Sequence, residues 1–538
     1  MPSLNFKKIL VIEDQSIIRD TIKHILSSLG ARHLVEAESG NNGMAAMRED
    51  RFDIVLCDYN LGEGKNGQQI LEEAKHLKLL PLNAIFIMVT GVQNQNMILS
   101  ALDNKLDDYL IKPFNKQQLS SRLERCIVRK KYLASVEGEI DRGNLYQAIH
   151  NCEKLLEQDN KKMRLQLLKM RAELAIKISD LDTAAKIYQE ILQERKIPWA
   201  RLGLGIIAFF HDDFTQAVAS FQQIIDQTPT MLEAYDWLAK SYEAIGNHEE
   251  ALATINLAIG LSPQTILRQK QLALLAEKTE NAEVAKKAYG AAVKLGKNSV
   301  HRSASDYVGL AKAHLKTNST NEALKTLLDL SQQFHNDPEG KLRAATLEID
   351  IYKKTNKEAL ARQSYDKAVK LNAEFGSRIS RESRLEMAKA CHLYGDTQIS
   401  EEILADLVKA NIDDKQFIDT VGEMCSTFIG DNYAENLLRQ AKQELVEINN
   451  KGVSLFKEGK IDEALAVFEE AIKKMPDNRT IILNMAKIIV HDIKTSKPDP
   501  EKLMNAQSHI NKAIQLGISH DKIGTIQMEL DNIQYTAH

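Results

Sequence analysis

The first 130 residues alternate short apolar runs with amphipathic segments of helical period. The runs lack polar alternation and predict strands buried on both faces, as in a parallel sheet. They lie at residues 9–12, 33–37, 53–57, 84–89 and 108–111. Segments of helical period lie at about residues 16–29, 41–50, 67–79, 94–104 and 115–132. This alternation predicts an α/β domain with a doubly wound five-stranded parallel sheet and helices on both faces.

The pattern changes after about residue 134, where the strand signals end and helical periodicity dominates. Several prolines stand just past apolar helical segments, where a proline closes a helix. They are Pro198, Pro229, Pro263 and Pro476. Pro229 and Pro263 are 34 residues apart, a period that is typical of helical repeats. We therefore predict that the rest of the chain is all-α.

Small and large apolar residues recur at the same offsets in these units. They are Gly205, Ala217 and Phe221 before Pro229, then Ala239, Ala251 and Ala258 before Pro263, and Gly452, Ala464, Phe468 and Ala471 before Pro476. The small residues let two paired helices approach closely, and the larger residue fills the gap beside them. One helical pair cannot bury its apolar face alone, so the units are expected to stack.

The pattern resembles the tetratricopeptide repeat over about residues 134–520, most clearly at 198–265 and 445–478. The resemblance implies a helical solenoid with a concave groove that binds peptides or partner helices. An unrelated long helical bundle is the alternative. Residues 410–445 fit the template poorly and are expected to be an irregular helical pair or a break between repeat blocks.

Composition narrows the function classes. The chain has 538 residues and a formal net charge of −4, which argues against bulk binding to nucleic acid or an anionic membrane. The most apolar run, residues 84–89, is far shorter than the roughly 20 residues of a membrane helix. The N-terminus lacks a signal-peptide pattern, and five scattered cysteines predict buried thiols. We expect a cytoplasmic protein.

Polar side chains end the predicted strands. Glu13 and Asp14 follow the first strand, Asp58 the third, Thr90 the fourth and Lys112 the fifth. The carboxyl ends of parallel strands meet at one edge of a sheet, where open α/β folds place their ligands. Three carboxylates at that edge repel one another and require a cation. Oxygen ligands favour Mg²⁺, with Asp14 and Asp58 as direct ligands and Glu13 acting through water.

These motifs, ILVIED, IVLCDY, IMVTG and YLIKPF, resemble the receiver domain of bacterial response regulators over about residues 6–130. The resemblance implies that Asp58 is phosphorylated and that the backbone carbonyl of Asn60 completes the Mg²⁺ ligands. Lys112 would pair with one phosphoryl oxygen, and the hydroxyl of Thr90 would donate to another. Movement of Thr90 would let Tyr109, the switch aromatic, turn inward.

Two details of the resemblance concern backbone and loops. The Lys112–Pro113 peptide bond is expected to be cis. The loop after Asp58, YNLGEGKNG, lacks the Met-Pro that is common in the family and has one more residue before Gly67. Lys65 and its neighbouring glycines do not have P-loop spacing, so the loop is interpreted as a flexible surface loop.

The predicted organisation has five parts: a receiver at 1–130, a connecting helix at 116–137, a repeat block at 134–410, an irregular helical segment at 411–445, and C-terminal repeats with a cap at 446–538. The connecting segment has neither Gly nor Pro and predicts one helix of about 22 residues, roughly 33 Å long. A helix break near the basic residues 129–131 is the alternative. That basic run is interpreted as a solvated helix end.

The favoured hypothesis is a response regulator of a two-component system whose phosphorylation controls protein binding by the repeats. Its partners would be a cognate histidine kinase and an unidentified protein or peptide, and receiver homodimerisation is a second route for the signal. The alternative is a phosphate sink or relay receiver that the repeats position. The sequence has no HExxH, GxSxG or P-loop pattern, so the only expected reaction is phosphorylation and dephosphorylation of the receiver itself. A DNA-binding or enzymatic output is less favoured.

Overall fold

The computed structural model describes residues 4–91, 106–158, 163–412, 414–475, 478–495, 499–516, 518 and 520–537. The chain divides into two compact units, Met1–Thr326 and Leu327–His538. The helix predicted at residues 94–104 lies outside the described residues.

The first unit begins with a parallel sheet. Its strands are β1 (Lys8–Ile12), β2 (His33–Ala37), β3 (Ile54–Asp58), β4 (Ile85–Thr90) and β5 (Asp108–Ile111). Their spatial order is β2-β1-β3-β4-β5, and every pairing is parallel. Strand β2 lies on one side of β1 and β3 lies on the other. The strand order therefore reverses between β1 and β3, which is the topological switch point of the sheet. The predicted doubly wound five-stranded sheet is confirmed.

Alternate strand residues face two separate apolar layers. In the described part of the receiver, four helices accompany the sheet: α1 (Ser16–Ser28), α2 (Gly40–Glu49), α3 (Gly67–His76) and α4 (Lys116–Arg142). On one face, Ile9 and Val11 pack with residues of α1 and α4. On the other face, Leu10 and Ile12 pack with residues of α2 and α3. Burial on both faces explains why the strand runs are continuously apolar.

Helix α4 is one unbroken helix of 27 residues that passes through the basic run. Its first half carries Leu119 and Leu123, which pack on the sheet. Further along, Leu133 and Val136 are buried in a cluster with the first repeat helices. Helix α4 thus spans the predicted connecting segment at 116–137 and continues to Arg142, and it is shared by the two folds.

The basic run on α4 is held by Asp107, the residue just before β5. Arg129 binds Asp107, and the amine of Lys130 lies 3.1 Å from the same carboxylate. The amine of Lys130 also lies 3.2 Å from Glu137, about two turns further along the helix. Burial raises the pKa of Glu137, while the charge of Lys130 acts in the opposite direction. The side chains of Arg129 and Lys130 are thus engaged within the domain.

A series of consecutive helices follows in the first unit. They are α5 (Leu145–Glu157), α6 (Arg164–Lys177), α7 (Leu181–Glu194), α8 (Pro198–Phe210), α9 (Phe214–Gln227), α10 (Leu232–Ala244), α11 (His248–Leu261), α12 (Ile266–Lys278), α13 (Ala282–Gly296), α14 (Ala304–Lys316) and α15 (Thr320–Gln333), which contains the division between the units. From α5 to α14, each helix packs against the next in chain order. This neighbour-to-neighbour packing is typical of a solenoid.

Close contacts between glycines and rings explain the repeat pattern. A Cβ atom on Gly205 would lie 2.6 Å from the ring of Phe221, so only glycine fits there. The same relation holds between Gly309 and Tyr289, at 2.3 Å. Ala217 is fully buried in the same apolar cluster as Phe221. The predicted reason for small residues at these offsets is confirmed.

The second unit is also helical. Its elements are α16 (Pro338–Lys354), α17 (Glu358–Phe375), a 3₁₀ turn (Gly376–Arg378), α18 (Arg381–Tyr394), α19 (Thr397–Ala410), α20 (Lys415–Ser426), α21 (Tyr433–Lys457), α22 (Ile461–Lys474), α23 (Arg479–Thr495), α24 (Pro500–Gln515) and α25 (His520–Ala537). A Cβ atom on Gly452 would lie 2.4 Å from the ring of Phe468, which repeats the glycine–ring contact.

Residues 411–445, predicted to be irregular, include α20 and the first half of α21. Helix α21 has 25 residues and runs without interruption through the predicted boundary at residues 445 and 446. It does so because Ala441 packs in one apolar cluster and Leu445 packs against both that cluster and the next. No helix end therefore separates the two predicted segments.

Two predictions from composition can be compared with the structure. All five cysteines are free and buried, as predicted. Within the described ranges, no helix combines the length and the apolar character that crossing a membrane would require.

Candidate functional site

Three carboxylates meet at the carboxyl ends of β1 and β3, on either side of the topological switch. One carboxylate oxygen from each of Glu13, Asp14 and Asp58 lies within 4.8 Å of the others. Glu13 is 1% exposed and Asp58 is 5% exposed, whereas Asp14 is exposed to solvent. The cluster therefore has a buried floor and one open side, at the position where open α/β sheets bind ligands.

Lys112 is the cation of this cluster. Its Nζ lies 2.7 Å from Glu13 Oε2 and 2.9 Å from Asp58 Oδ2. Burial acts to lower the pKa of Lys112, but the hydrogen bonds and charges of the two carboxylates outweigh it and raise that pKa. The Lys112–Pro113 peptide bond is cis, as predicted. Lys112 therefore holds a positive charge against the two buried carboxylates.

The donor set fits a hard divalent cation. Burial is the largest cause of the raised pKa of Glu13, and the charge of Asp58 raises it further. Three carboxylates face one lysine, so negative charge is in excess, and the open side at Asp14 leaves room for water ligands. Mg²⁺ binds oxygen ligands, one or two carboxylates among them directly, and keeps several waters. Glu13, Asp14 and Asp58 are the residues that would hold it.

Thr90 lies at the same edge of the sheet, and Tyr109 lies one step back from it. Thr90 is the buried last residue of β4, and its carbonyl accepts a hydrogen bond from the backbone N–H of Lys112 at 2.8 Å. Tyr109 on β5 pairs in register with Met88. Its half-buried ring has the guanidinium of Arg122 5.4 Å from its centroid. The structure thus brings Thr90 and Lys112 together with the carboxylates, but not Tyr109.

The loop after Asp58 contains a residue whose role the sequence did not reveal. Asn60, the predicted carbonyl ligand, is an exposed residue at the start of this loop. Lys65, near its end, pairs with Glu73 at 2.9 Å and donates a hydrogen bond to the carbonyl of Asn298 at 2.9 Å. Interpreting Lys65 as part of a flexible surface loop overlooked these contacts. The only signals were the additional loop residue and a lysine in a glycine-rich stretch.

Comparison with family models divides the chain in the same way. A model described as the response regulator receiver domain matches residues 9–124. Models described as tetratricopeptide repeats match residues 202–265, 350–375 and 447–478. The two clearest predicted repeat regions, 198–265 and 445–478, are both among these matches.

A curated relative decides the family. The chain is 30% identical over 125 residues to the chemotaxis protein CheY of Pseudomonas aeruginosa, covering 23% of this chain and 97% of that protein. The chain belongs to the response regulator receiver family. The receiver is also 30% identical over 131 residues to the aerobic respiration control protein ArcA of Escherichia coli, which covers 24% of this chain and 52% of ArcA.

Solved structures resemble the receiver and the repeats separately. A response regulator receiver domain protein from Clostridium thermocellum is 31% identical, covering 24% of this chain and 99% of its own, with a TM-score of 0.22. The C-terminal part of a repeat-containing protein from Cytophaga hutchinsonii is 14% identical, covering 45% of this chain and 95% of its own, with a TM-score of 0.38. Each likeness covers less than half of the chain.

Proposed function

We propose that this protein is a cytoplasmic two-component response regulator in which phosphorylation of Asp58 controls protein binding by the tetratricopeptide repeats. The observation that carries this proposal is the buried Asp58 carboxylate, which shares a cluster with Glu13 and Asp14 and lies 2.9 Å from Lys112. That acceptor precedes repeats of a class that binds other proteins. A cognate histidine kinase would be the phosphoryl source.

The chemistry follows from the side chains of the cluster. An oxygen of Asp58 attacks the phosphorus atom of the donor, the bond to the leaving group breaks, and an aspartyl phosphate forms. Lys112 then pairs with one phosphoryl oxygen, and the Thr90 hydroxyl donates to another. Mg²⁺, held by Asp14 and Asp58 with the Asn60 carbonyl, would offset the negative charge of donor and acceptor. The new bonds exist only in the phosphorylated state, so they favour one conformation.

The repeats of the first unit offer a surface for the output. A groove of 530 Å³ lies along α10 and α12. Leu267 and Leu274 in its lining are each 54% exposed, and their seven-residue spacing places them on one side of α12. Lys278 and Glu243 form an ion pair of 3.0 Å at its edge. An apolar stripe with a charged rim suits a helical or extended peptide.

The alternative, a phosphate sink or relay, is not favoured, because such a role requires no exposed apolar stripe on the repeats. We also propose that the chain catalyses no reaction except phosphorylation and dephosphorylation of its own Asp58. Receiver homodimerisation remains a second proposed route for the signal.

The test uses full-length protein with Mg²⁺ and a small phosphodonor such as acetyl phosphate. We expect the intact mass to increase by one phosphoryl group in the wild type but not in Asp58→Asn. Proteins captured from native cytosol by the wild type should change in amount when beryllofluoride, a phosphoryl mimic, is added with Mg²⁺. The same captures in both states, with Asp58 occupied, would contradict control of binding.

A further inference from the structure

The receiver docks on a corner of the repeats through the loop that follows Asp58. The corner is the turn between α13 and α14, and both partners belong to the first compact unit. Three hydrogen bonds join them. Lys65 Nζ donates to the carbonyl of Asn298 at 2.9 Å, Asn298 Nδ2 donates to the carbonyl of Gly64 at 2.7 Å, and Gln69 Nε2 donates to the carbonyl of Leu295 at 3.1 Å.

The chemistry of the two surfaces is complementary. Leu295 is in the last turn of α13, where carbonyl groups lack partners within the helix and the helix dipole is negative. Gln69 is in the first turn of α3, where the dipole is positive. The side chain of Lys65 is only 19% exposed, and its ammonium lies between the Glu73 carboxylate and the Asn298 carbonyl, 2.9 Å from each. The helix ends and the lysine therefore attract one another in the docked arrangement.

A second row of contacts extends along α3. Gln69, Glu72 and His76 are spaced by three and four residues, so they share one face of the helix. The ring of His76 lies 6.1 Å from the ring of His301, at an interplanar angle of 74°. Burial lowers the pKa of His301, and the charge of Glu72 acts in the opposite direction. The docked surface therefore includes α3 as well as the loop.

The same loop also borders the acidic cluster. A Cβ atom on Gly62 would lie 3.7 Å from Asp14 Oδ2, so the loop runs directly beside the carboxylate. Gly64, two residues later, is the residue bound by Asn298. Gly62 and Gly64 have φ angles of +69° and +106°, which favour glycine. On the inner side, a Cβ on Gly40 would lie 2.4 Å from the Lys65 carbonyl.

We propose that residues 60–66 and α3 form an internal latch between receiver and repeats, and that phosphorylation of Asp58 opens it. The proposal rests on the proposed function of Asp58. A phosphoryl group adds three oxygens and about two negative charges beside Asp14. At Gly62 a Cβ atom would be in van der Waals contact with the carboxylate of Asp14, and at Lys65 α2 blocks inward movement of the loop. Repulsion between the added charge and Asp14 shifts the loop outward, which breaks the bonds of Asn298 two residues away.

The latch reaches the binding groove through one lysine. Lys270 on α12 lines the groove. Its Nζ donates to the carbonyl of His301 at 2.6 Å and pairs with Asp306 at 2.9 Å. His301 in turn faces His76 of the receiver. Opening of the latch therefore releases contacts on the residue that holds Lys270 at the edge of the groove.

Hydrogen exchange measured by mass spectrometry on the full-length protein tests the latch. With acetyl phosphate and Mg²⁺, we expect amides in residues 60–76 and 295–301 to exchange about fivefold faster, because these segments lose the side-chain hydrogen bonds that hold them against each other. Asp58→Asn should show no change. If the mass shows phosphorylated Asp58 and exchange in these segments is unaltered, the latch is overturned and the proposed function stands. If Asp58 gains no phosphoryl group, the proposed function itself fails.

The variant Gln69→Glu tests the same coupling from the other side. Gln69 belongs to a capping box, in which its Oε1 accepts from the Asn66 N–H. Glutamate keeps that acceptor but places a carboxylate oxygen against the Leu295 carbonyl. We expect faster exchange at 295–301 without phosphodonor. Because coupling is reciprocal, beryllofluoride should bind about threefold more tightly in a calorimetric titration with Mg²⁺.

Two matched controls separate docking from local stability. Gln118→Glu makes the same change in the capping box that Asn115 and Gln118 form on α4. Lys297→Ala alters the exposed neighbour of Asn298. Both should resemble the wild type, whereas Asn298→Ala should resemble Gln69→Glu. The latch is refuted if Gln69→Glu leaves exchange and beryllofluoride affinity at the level of Gln118→Glu.

Discussion

The acidic cluster of the receiver, which has a buried floor, and the buried glycine–ring contacts of the repeats are stabilised in opposite ways. In the cluster, three carboxylates share one lysine, and one side is open to solvent. In the repeats, Gly205 and Gly309 leave no room for a single further carbon atom beside the rings they touch. The first site retains unbalanced charge, and the second retains no free volume.

This difference distinguishes the acidic cluster, which changes its charge when a ligand binds, from the packed repeat contacts, which must keep their structure. A site with excess charge responds strongly when a cation or a phosphoryl group arrives, because charge interactions are strong where water is scarce. A contact between apolar groups responds to almost nothing except a change of volume. The switch and its scaffold can therefore be distinguished by experiment, because the acidic cluster responds to a change of charge and the repeat contacts respond to a change of volume.

The largest effect is expected from Lys112→Met, which removes the cation but keeps the volume. Breaking a buried ion pair leaves carboxylates uncompensated and costs about 3 kcal/mol of unfolding free energy. Denaturant unfolding of the receiver, followed by hydrogen exchange, measures the loss. Mg²⁺ should restore more stability in Lys112→Met than in the wild type, and equal responses to Mg²⁺ would argue against charge as the dominant property of the cluster.

A smaller loss of about 2 kcal/mol is expected from Gly309→Val, because overpacking forces the ring of Tyr289 and the backbone to shift. Hydrogen exchange in α13 and α14 should report it, and Mg²⁺ should not alter it. Gly138→Ala on α4 is the control, since a Cβ there meets nothing within 4 Å. Alanine should stabilise that helix by about 0.5–1 kcal/mol. If Gly309→Val leaves the free energy of unfolding unchanged, the repeats do have free volume beside Tyr289, and the contrast with the acidic cluster is wrong.

The smallest effect concerns pH and tests whether charge matters away from the cluster. Burial raises the pKa of Glu137 above its usual value of 4.5. The folded state therefore favours the protonated form, so this contribution is full below the unfolded pKa and is lost as pH rises through the folded pKa. Glu137→Gln should flatten that decline in melting temperature, while Glu139→Gln on the same helix should leave it unchanged. If melting temperature depends on pH in the same way in both variants, the decline does not come from Glu137.

The residues of the acidic cluster could be predicted because the topology of the sheet largely determines which strand ends lie together. Parallel strands bring their carboxyl ends to one edge of the sheet. Correct assignment of the strands was therefore enough to predict that four residues lie at that edge: Asp14, Asp58, Thr90 and Lys112. The contact between Gly205 and Phe221 was predictable for a similar reason, since both residues lie within one repeating unit. In both cases, local spacing determines which groups meet.

The contact between Lys65 and Asn298 could not be predicted, because 233 residues separate them. Their distance depends on the rotation accumulated over successive helical pairs, and each small rotation is set by packing that sequence spacing does not encode. The uninterrupted helix α21 was missed for a related reason. A template of paired helices assumes a turn wherever the pattern fades, whereas continuous apolar packing on both halves kept this helix intact.

The shared helix α4 has a consequence for how this receiver could be exchanged with that of another protein. A cut at residue 130 would divide α4 and expose Leu133 and Val136, which belong to the repeat core. Every residue inserted into or deleted from the helix would turn all that follows by about 100°. Grafting would therefore have to match helical phase as well as sequence, and lineages that change the length of this helix are expected to do so in steps of whole turns.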